Sequence, residues 1–267
     1  MGFVRMIFHM LIHAAWLSVC FPLALAEAVF HRKSGGMWVG RRIWGPFLIR
    51  AARARLVVQG LENVDPSRPT IYVANHQSAL DIPVAFVALP VDFRFVAKKS
   101  LGSIPLLGWY LKAGRHLLVE RGSWISALHA LEKAADQIRR GTSILIFPEG
   151  TRSPDGRLLP FKKGPFALAL KAGVAICPVT IEGTARILPK KSWKVRKGEE
   201  IRVKIGAPID TRLYGLHDRG RLMRDVRRVM IAQSLELGGK GGDLTAIAAP
   251  SSPPRVQAPH PSRGAET

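Results

Sequence analysis

Residues 75–81 read Asn75-His76-Gln77-Ser78-Ala79-Leu80-Asp81 and follow directly on the apolar run Thr70 to Ala74. Such a short unbroken run suits a strand buried on both faces, and the polar residues after it suit a loop at the strand's carboxyl end. A second run, Ser143 to Phe147, has the same character and leads into Phe147-Pro148-Glu149-Gly150-Thr151-Arg152-Ser153. Two buried strands, each followed by a polar loop, are the pattern of an open α/β sheet, whose working residues sit beyond the carboxyl ends of its strands.

Working outward, Phe93 to Ala97, His116 to Glu120 and Val174 to Ile181 read as further strands. Ile201 to Ile205 alternates apolar with basic residues and reads as an edge strand. Helices are predicted over Pro83 to Leu89, Ile104 to Ala113, Ser123 to Arg140, Lys162 to Ala172 and Arg219 to Leu237. Ser123 supplies an N-cap, and Gly114, Gly141 and Gly173 each follow a helix end. The expected fold is therefore α/β, a mixed but mostly parallel sheet flanked by helices, with a membrane-associated helical segment at the N-terminus. Residues 1–50 form that anchoring segment, 51–237 the catalytic domain and 238–267 a disordered tail rich in Gly, Ala, Pro and Ser.

The anchoring segment rests on the mostly apolar stretch Met6 to Phe30, followed by Arg32, Lys33, Arg41, Arg42 and Arg50. A run of about 20 apolar residues can span a bilayer. It can also dip into one leaflet, continued by the Trp- and Arg-bearing stretch Met37 to Trp44 at the interface. Ala24-Leu25-Ala26 would serve as a signal-peptide cleavage site, but the basic cluster that follows argues against export. His9 and His13 share a helix face, where a metal pair is conceivable but two tolerated polar residues near an interface account for them better.

The formal net charge of +21, from 40 Lys and Arg against 19 Asp and Glu, predicts an anionic partner. No aromatic-interleaved basic ribbon and no zinc-finger or RNP-like spacing accompanies it, so nucleic acid is not expected. The two cysteines, Cys20 and Cys177, exclude a disulfide framework and offer no zinc site.

In the first motif, Pro83 requires a helix to start near Asp81, leaving His76 in the preceding loop. The loop lets the carboxylate turn back to the imidazole. A carboxylate on one ring nitrogen fixes the tautomer and leaves the other nitrogen to accept a proton. A capping Asp and an ordinary loop His have the same spacing, so this pair alone does not establish chemistry. In the second motif, Pro148 ends a strand and Gly150 permits a positive φ. Turn amides and the Arg152 guanidinium would then make a nest for phosphate, with Glu149 able to pair with Arg152. Lys99 offers a further charge beside the apolar stretch Leu101 to Trp109.

Taken together, four ordered blocks make the body resemble the 1-acyl-glycerol-3-phosphate acyltransferase family. They are Asn75-His76 through Asp81, Lys99 through Gly108, Phe147 through Ser153, and Val174 through Thr184. The resemblance implies that His76 is the catalytic base and that Asp81 orients it. It implies that Arg152 and Lys99 bind the substrate phosphate, that Glu149, Gly150 and Thr151 build that site, and that Pro178 lies near the acceptor. It further implies a lysophospholipid acceptor and an acyl-CoA or acyl carrier protein donor, with no metal or prosthetic group. The product would be phosphatidic acid, made at a membrane with the active site facing the cytoplasm (the inner membrane if bacterial). Lyso-ornithine lipid or another lysolipid would use the same His and Asp. A non-catalytic basic membrane-binding protein is the rival from another class, and it would keep its function without His76.

Overall fold

The computed structural model describes residues 2–31, 34–120, 124–192 and 194–243. Along the chain run α1 (Gly2–Phe30), α2 (Met37–Val39), a π-helical turn Gly40–Trp44, α3 (Gly45–Ala51), β1 (Arg55–Gln59), β2 (Ile71–Ala74) and α4 (Asp81–Ala88). Next come β3 (Phe93–Lys98), α5 (Leu107–Ala113), β4 (Leu117–Val119), α6 (Trp124–Arg139), β5 (Ser143–Ile146) and α7 (Gly164–Ala172). The remainder is β6 (Ile176–Glu182), α8 (Thr184–Ile187), β7 (Glu200–Ile205) and α9 (Arg219–Glu236).

The strands form one sheet in the order β1-β7-β6-β2-β5-β3-β4. Every neighbouring pair is parallel except β6 with β7. Thus β2 to β6 point one way, and β1 and β7 the other. Register aligns the functional ends: Val73 lies opposite both Ile146 and Pro178, so the loops after β2, β5 and β6 emerge side by side.

Alternation along each strand sends side chains to two cores. Tyr72 and Ala74 pack with Val84, Ala85 and Phe86 of α4 and with Met37 and Ile49. Ile71 and Val73 pack on the other face with Ile138 of α6, Phe166 and Leu168 of α7, and Leu222, Val226 and Met230 of α9. Helices covering both faces explain why β2, β5 and β6 read as continuous apolar runs rather than alternating ones. In a third cluster, Cys20 and Ala24 of α1 meet Tyr110 and Leu111 of α5, and the ring of Trp16 stacks on that of Phe47 at 4.3 Å. Beside that contact face, α1 exposes Val19, Leu23 and Phe30. Among the described residues no helix is long and apolar enough to cross a membrane.

Several expectations are corrected. The strand at residues 200–205 is interior, because β1, which the sequence reading did not assign, covers its outer side. The helix expected from Ile104 begins only at Leu107. Pro105 pushes the residue before it out of helical space, and Ile104 is extended at φ −77°, ψ 123°, after a 3₁₀ turn over Lys99–Ser103. The tail does not lose structure at residue 238: the Leu158 amide donates to the Gly241 carbonyl at 2.8 Å, and Gly239 lies against Glu182. A β-carbon at Gly239 would fall 2.4 Å from the Glu182 carboxyl, so only glycine lets the chain approach there. Ser123, Arg32, Lys33 and residues 244–267 lie outside the described residues, as do the side chains of His9 and His13.

Candidate active site

The site begins at Asn75, whose buried side chain extends the β2–β6 ladder. Its Nδ2 donates to the Ile181 carbonyl at 2.9 Å, and its Oδ1 accepts from the Ile181 amide at 2.7 Å. The side-chain amide thus replaces a backbone pair and lets the main chain leave the sheet. His76 is the first residue beyond it.

Asp81 opens α4 and is fully buried. Its Oδ2 accepts from the Gln77 amide at 2.6 Å, the Ser78 amide at 2.8 Å and the Nδ1 of His76 at 2.8 Å. Its Oδ1 accepts from the Thr184 hydroxyl at 2.5 Å. The structure therefore brings together the His and Asp singled out in the sequence, and shows Asp81 gathering the loop around its carboxylate. Because that carboxylate is an acceptor, the proton is assigned to Nδ1, and Nε2 is left with a lone pair. The ring stacks on Phe147 with 4.2 Å between centroids, and the side chain is 16% exposed. An imidazole fixed on one nitrogen and one face, with its other nitrogen bare, is built to take a proton.

Glu149 sits behind His76, 4% exposed. Its Oε1 accepts from the His76 amide at 3.0 Å and its Oε2 from the Leu159 amide at 3.1 Å. Burial pushes its pKa up to about 7 against the opposing effect of these two N–H groups and of Arg227. The expected pairing of Glu149 with Arg152 is not formed. Glu149 instead clamps the β2 and β5 loops together, a task completed by the Ser153 amide donating to the His76 carbonyl at 2.7 Å.

Gly150 adopts φ +68°, and a β-carbon there would press within 2.9 Å of the Lys162 side chain. Thr151 is exposed and Arg152 partly so. The Arg152 guanidinium makes no hydrogen bond or ion pair among the described residues, while its carbonyl accepts from Lys190 Nζ at 2.5 Å. Lys99 is drawn away from this group into an ion pair with Glu120 at 2.8 Å. Its neighbour Lys98, the last residue of β3, is exposed and unpaired among the described residues. Pro178 lies within β6, opposite Val73.

Some participants were not singled out from the sequence. Thr184 completes the Asp81 shell, and Lys162 and Lys190 flank the Gly150 turn. Arg227 of α9 is buried, donating through its guanidinium to the carbonyls of Leu158 at 3.0 Å and Leu159 at 2.5 Å, and so fixes the peptide that holds Glu149. Only the glycine-threonine pair after β6 carried any local signal. Among the described residues no group of His, Cys, Asp and Glu side chains could hold a metal ion.

Comparison with known proteins defines the class. Residues 55–182 match the family described as Acyltransferase. A 1-acyl-sn-glycerol-3-phosphate acyltransferase of Limnanthes alba is 33% identical over 219 residues, covering 77% of this chain and 76% of that one. The crystal structure of the 1-acyl-sn-glycerophosphate (LPA) acyltransferase PlsC from Thermotoga maritima superimposes with a TM-score of 0.66 at 30% identity, over 85% of this chain and 97% of that one. The chain belongs to the 1-acyl-sn-glycerol-3-phosphate acyltransferase family. It also resembles chloroplastic members from Brassica napus, at 36% identity, and Arabidopsis thaliana, at 35%, but spans only 57% and 55% of their lengths.

Proposed function

We propose that the protein transfers an acyl chain from a thioester donor, acyl-CoA or acyl carrier protein, to the free hydroxyl of 1-acyl-glycerol-3-phosphate, forming phosphatidic acid at a membrane surface facing the cytoplasm. The observation that carries this reading is the His76 imidazole, held through Nδ1 by Asp81 with Nε2 bare, in a chain of this family.

In the proposed reaction, Nε2 of His76 takes the hydroxyl proton as the alcohol oxygen attacks the thioester carbon. A C–O bond forms, the C–S bond breaks, and the proton passes from Nε2 to the departing thiolate. Such general-base help is worth about 10² to 10⁴ in rate. The Arg152 guanidinium, without a partner among the described residues, and Lys162 and Lys190 beside the Gly150 turn support a phosphate-bearing acceptor. Glu149 and Gly150 shape that site from behind. Membrane association is supported by the exposed Val19, Leu23 and Phe30 of α1 and by Trp38 and Trp109.

The test is acyl transfer by membranes carrying the full chain, with labelled donor and with lysophosphatidic acid and lyso-ornithine lipid offered side by side. Phosphatidic acid is the expected product. Acylation of the ornithine lipid alone would overturn the acceptor, and no product from either would overturn the enzyme reading.

A further inference from the structure

Beside the His76 loop, on the β6 side, lies a cleft of about 360 Å³. Its inner wall is Gln77, Ser153 and Glu182, and its rim carries Arg186, Lys190, Arg196 and Lys240. The inner wall adjoins the chemistry directly: Gln77 follows His76, and Ser153 follows Arg152.

The wall is built rather than incidental. Gln77 is buried, and its Nε2 donates to Glu182 Oε2 and to the Gly156 carbonyl, both at 3.0 Å. Glu182 accepts from the Ser234 hydroxyl at 2.6 Å, and burial raises its pKa, so this carboxyl contributes less negative charge than a free one. The segment after α9 closes the wall, with Gly239 against Glu182. The other acid lining the cleft, Asp155, accepts from the Ser153 hydroxyl at 3.1 Å and faces Arg157.

The rim cations divide into two kinds. Arg186 is tied to Glu199 at 3.1 Å, and Lys190 to the Arg152 carbonyl at 2.5 Å. Arg196 and Lys240 are exposed and have no side-chain partner among the described residues. Two free and two anchored cations around one concavity form a binding place for an anion with several oxygens. Its rim is basic, and a charged ligand suits such a rim better than a lipid tail does.

We propose that this cleft docks the phosphate-bearing arm of the acyl donor, a phosphopantetheine thioester, and that Arg196 and Lys240 are its outer anchors. The inference rests on the proposed acyl transfer. Its chemistry is the phosphate that coenzyme A and a carrier protein's prosthetic arm share, and the cleft's position lets a thioester at the end of that arm reach His76.

The experiment has a readout independent of turnover. Calorimetric binding of coenzyme A to the full chain in detergent micelles is compared between wild type, Arg196→Glu, Lys240→Glu and the double variant. Binding by the wild type that weakens about tenfold or more in the double variant, and that weakens with added salt, is expected for a charge-lined site. No binding of coenzyme A or of phosphopantetheinylated carrier protein to the wild type overturns the proposal, as does equal binding by the double variant. Steady-state kinetics then separate the substrates. The donor KM should rise while the acceptor KM stays within about twofold, since rim charges act on the ligand they face. A shift with both donors is expected for the shared phosphopantetheine phosphate, and a shift confined to acyl-CoA would overturn that assignment in favour of the nucleotide phosphates. A rise in acceptor KM instead would overturn the assignment. A wild type that binds coenzyme A yet acylates no lysolipid would sink the acyl-transfer reading and leave the cleft standing.

Discussion

The two flanks of the His76 loop differ in kind. Beyond β3 the surface is apolar with a few charges: Ile104 and Trp109 stand exposed, 46% and 56%, and α1 adds Val19 and Leu23. Beyond β6 the surface is a cleft ringed by Arg186, Lys190, Arg196 and Lys240. On the proposed reading, an enzyme that joins a lipid to a chain delivered from water needs both surfaces, with the base between them. The parallel register accomplishes this, because β3, β5, β2 and β6 are successive neighbours and end at one edge.

The comparison is most severely tested at its centre. His76→Ala should lower the acyl-transfer rate by about 10² to 10⁴ while the protein still folds, with a melting temperature lowered by the lost Asp81 bond and Phe147 stacking. Full activity in that variant would leave the two flanks without a shared purpose. Next in size, Arg152→Ala should raise the acceptor KM about tenfold or more by removing a charge-assisted contact. A donor-side effect of that substitution would blur the distinction between flanks. Ile104→Ser with Trp109→Ser should weaken binding to lipid vesicles several-fold through lost apolar area, at roughly 25 cal/mol per Å². Unchanged vesicle binding would mean that the β3 flank is not the lipid side.

The smallest effect concerns Glu149. Its folded pKa, about 7, lies above the ordinary 4.5, so the folded state holds the proton more tightly than the unfolded chain. Its contribution to stability is full below pH 4.5 and is lost as pH rises through 7. Glu149→Gln cannot ionise, and its melting temperature should therefore fall less than that of the wild type between about pH 5 and 7. A parallel decline in both would remove Glu149 as the source.

What the sequence disclosed follows from how far its interactions reach. The runs at 71–74 and 143–146 were legible because parallel strands covered on both faces are apolar at every position. The His76–Asp81 pair was legible because both partners lie in one loop and its helix. β1 was not: Arg55 to Gln59 is half-exposed with polar ends, and without it β7 reads as an edge. Thr184 contacts Asp81 from 103 positions away, and Arg227 supports Leu159 from 68 positions away, separations at which spacing carries no signal. Residues 238–243 resemble disordered sequence by composition, yet it is the glycine at 239 that lets them pack on Glu182. Lys99 was singled out by resemblance, and its ion pair with Glu120, 21 positions away, left no mark in the sequence.

The most direct test of the base is nitrogen-15 NMR of the His76 ring in the full chain, near neutral pH, with His76→Ala for assignment and Asp81→Asn for comparison. The geometry predicts a proton on Nδ1, bonded to Asp81, and a bare Nε2, with that preference lost in Asp81→Asn. A proton on Nε2 in the wild type would contradict it, since His76 could not then accept the hydroxyl proton on the side that faces substrate.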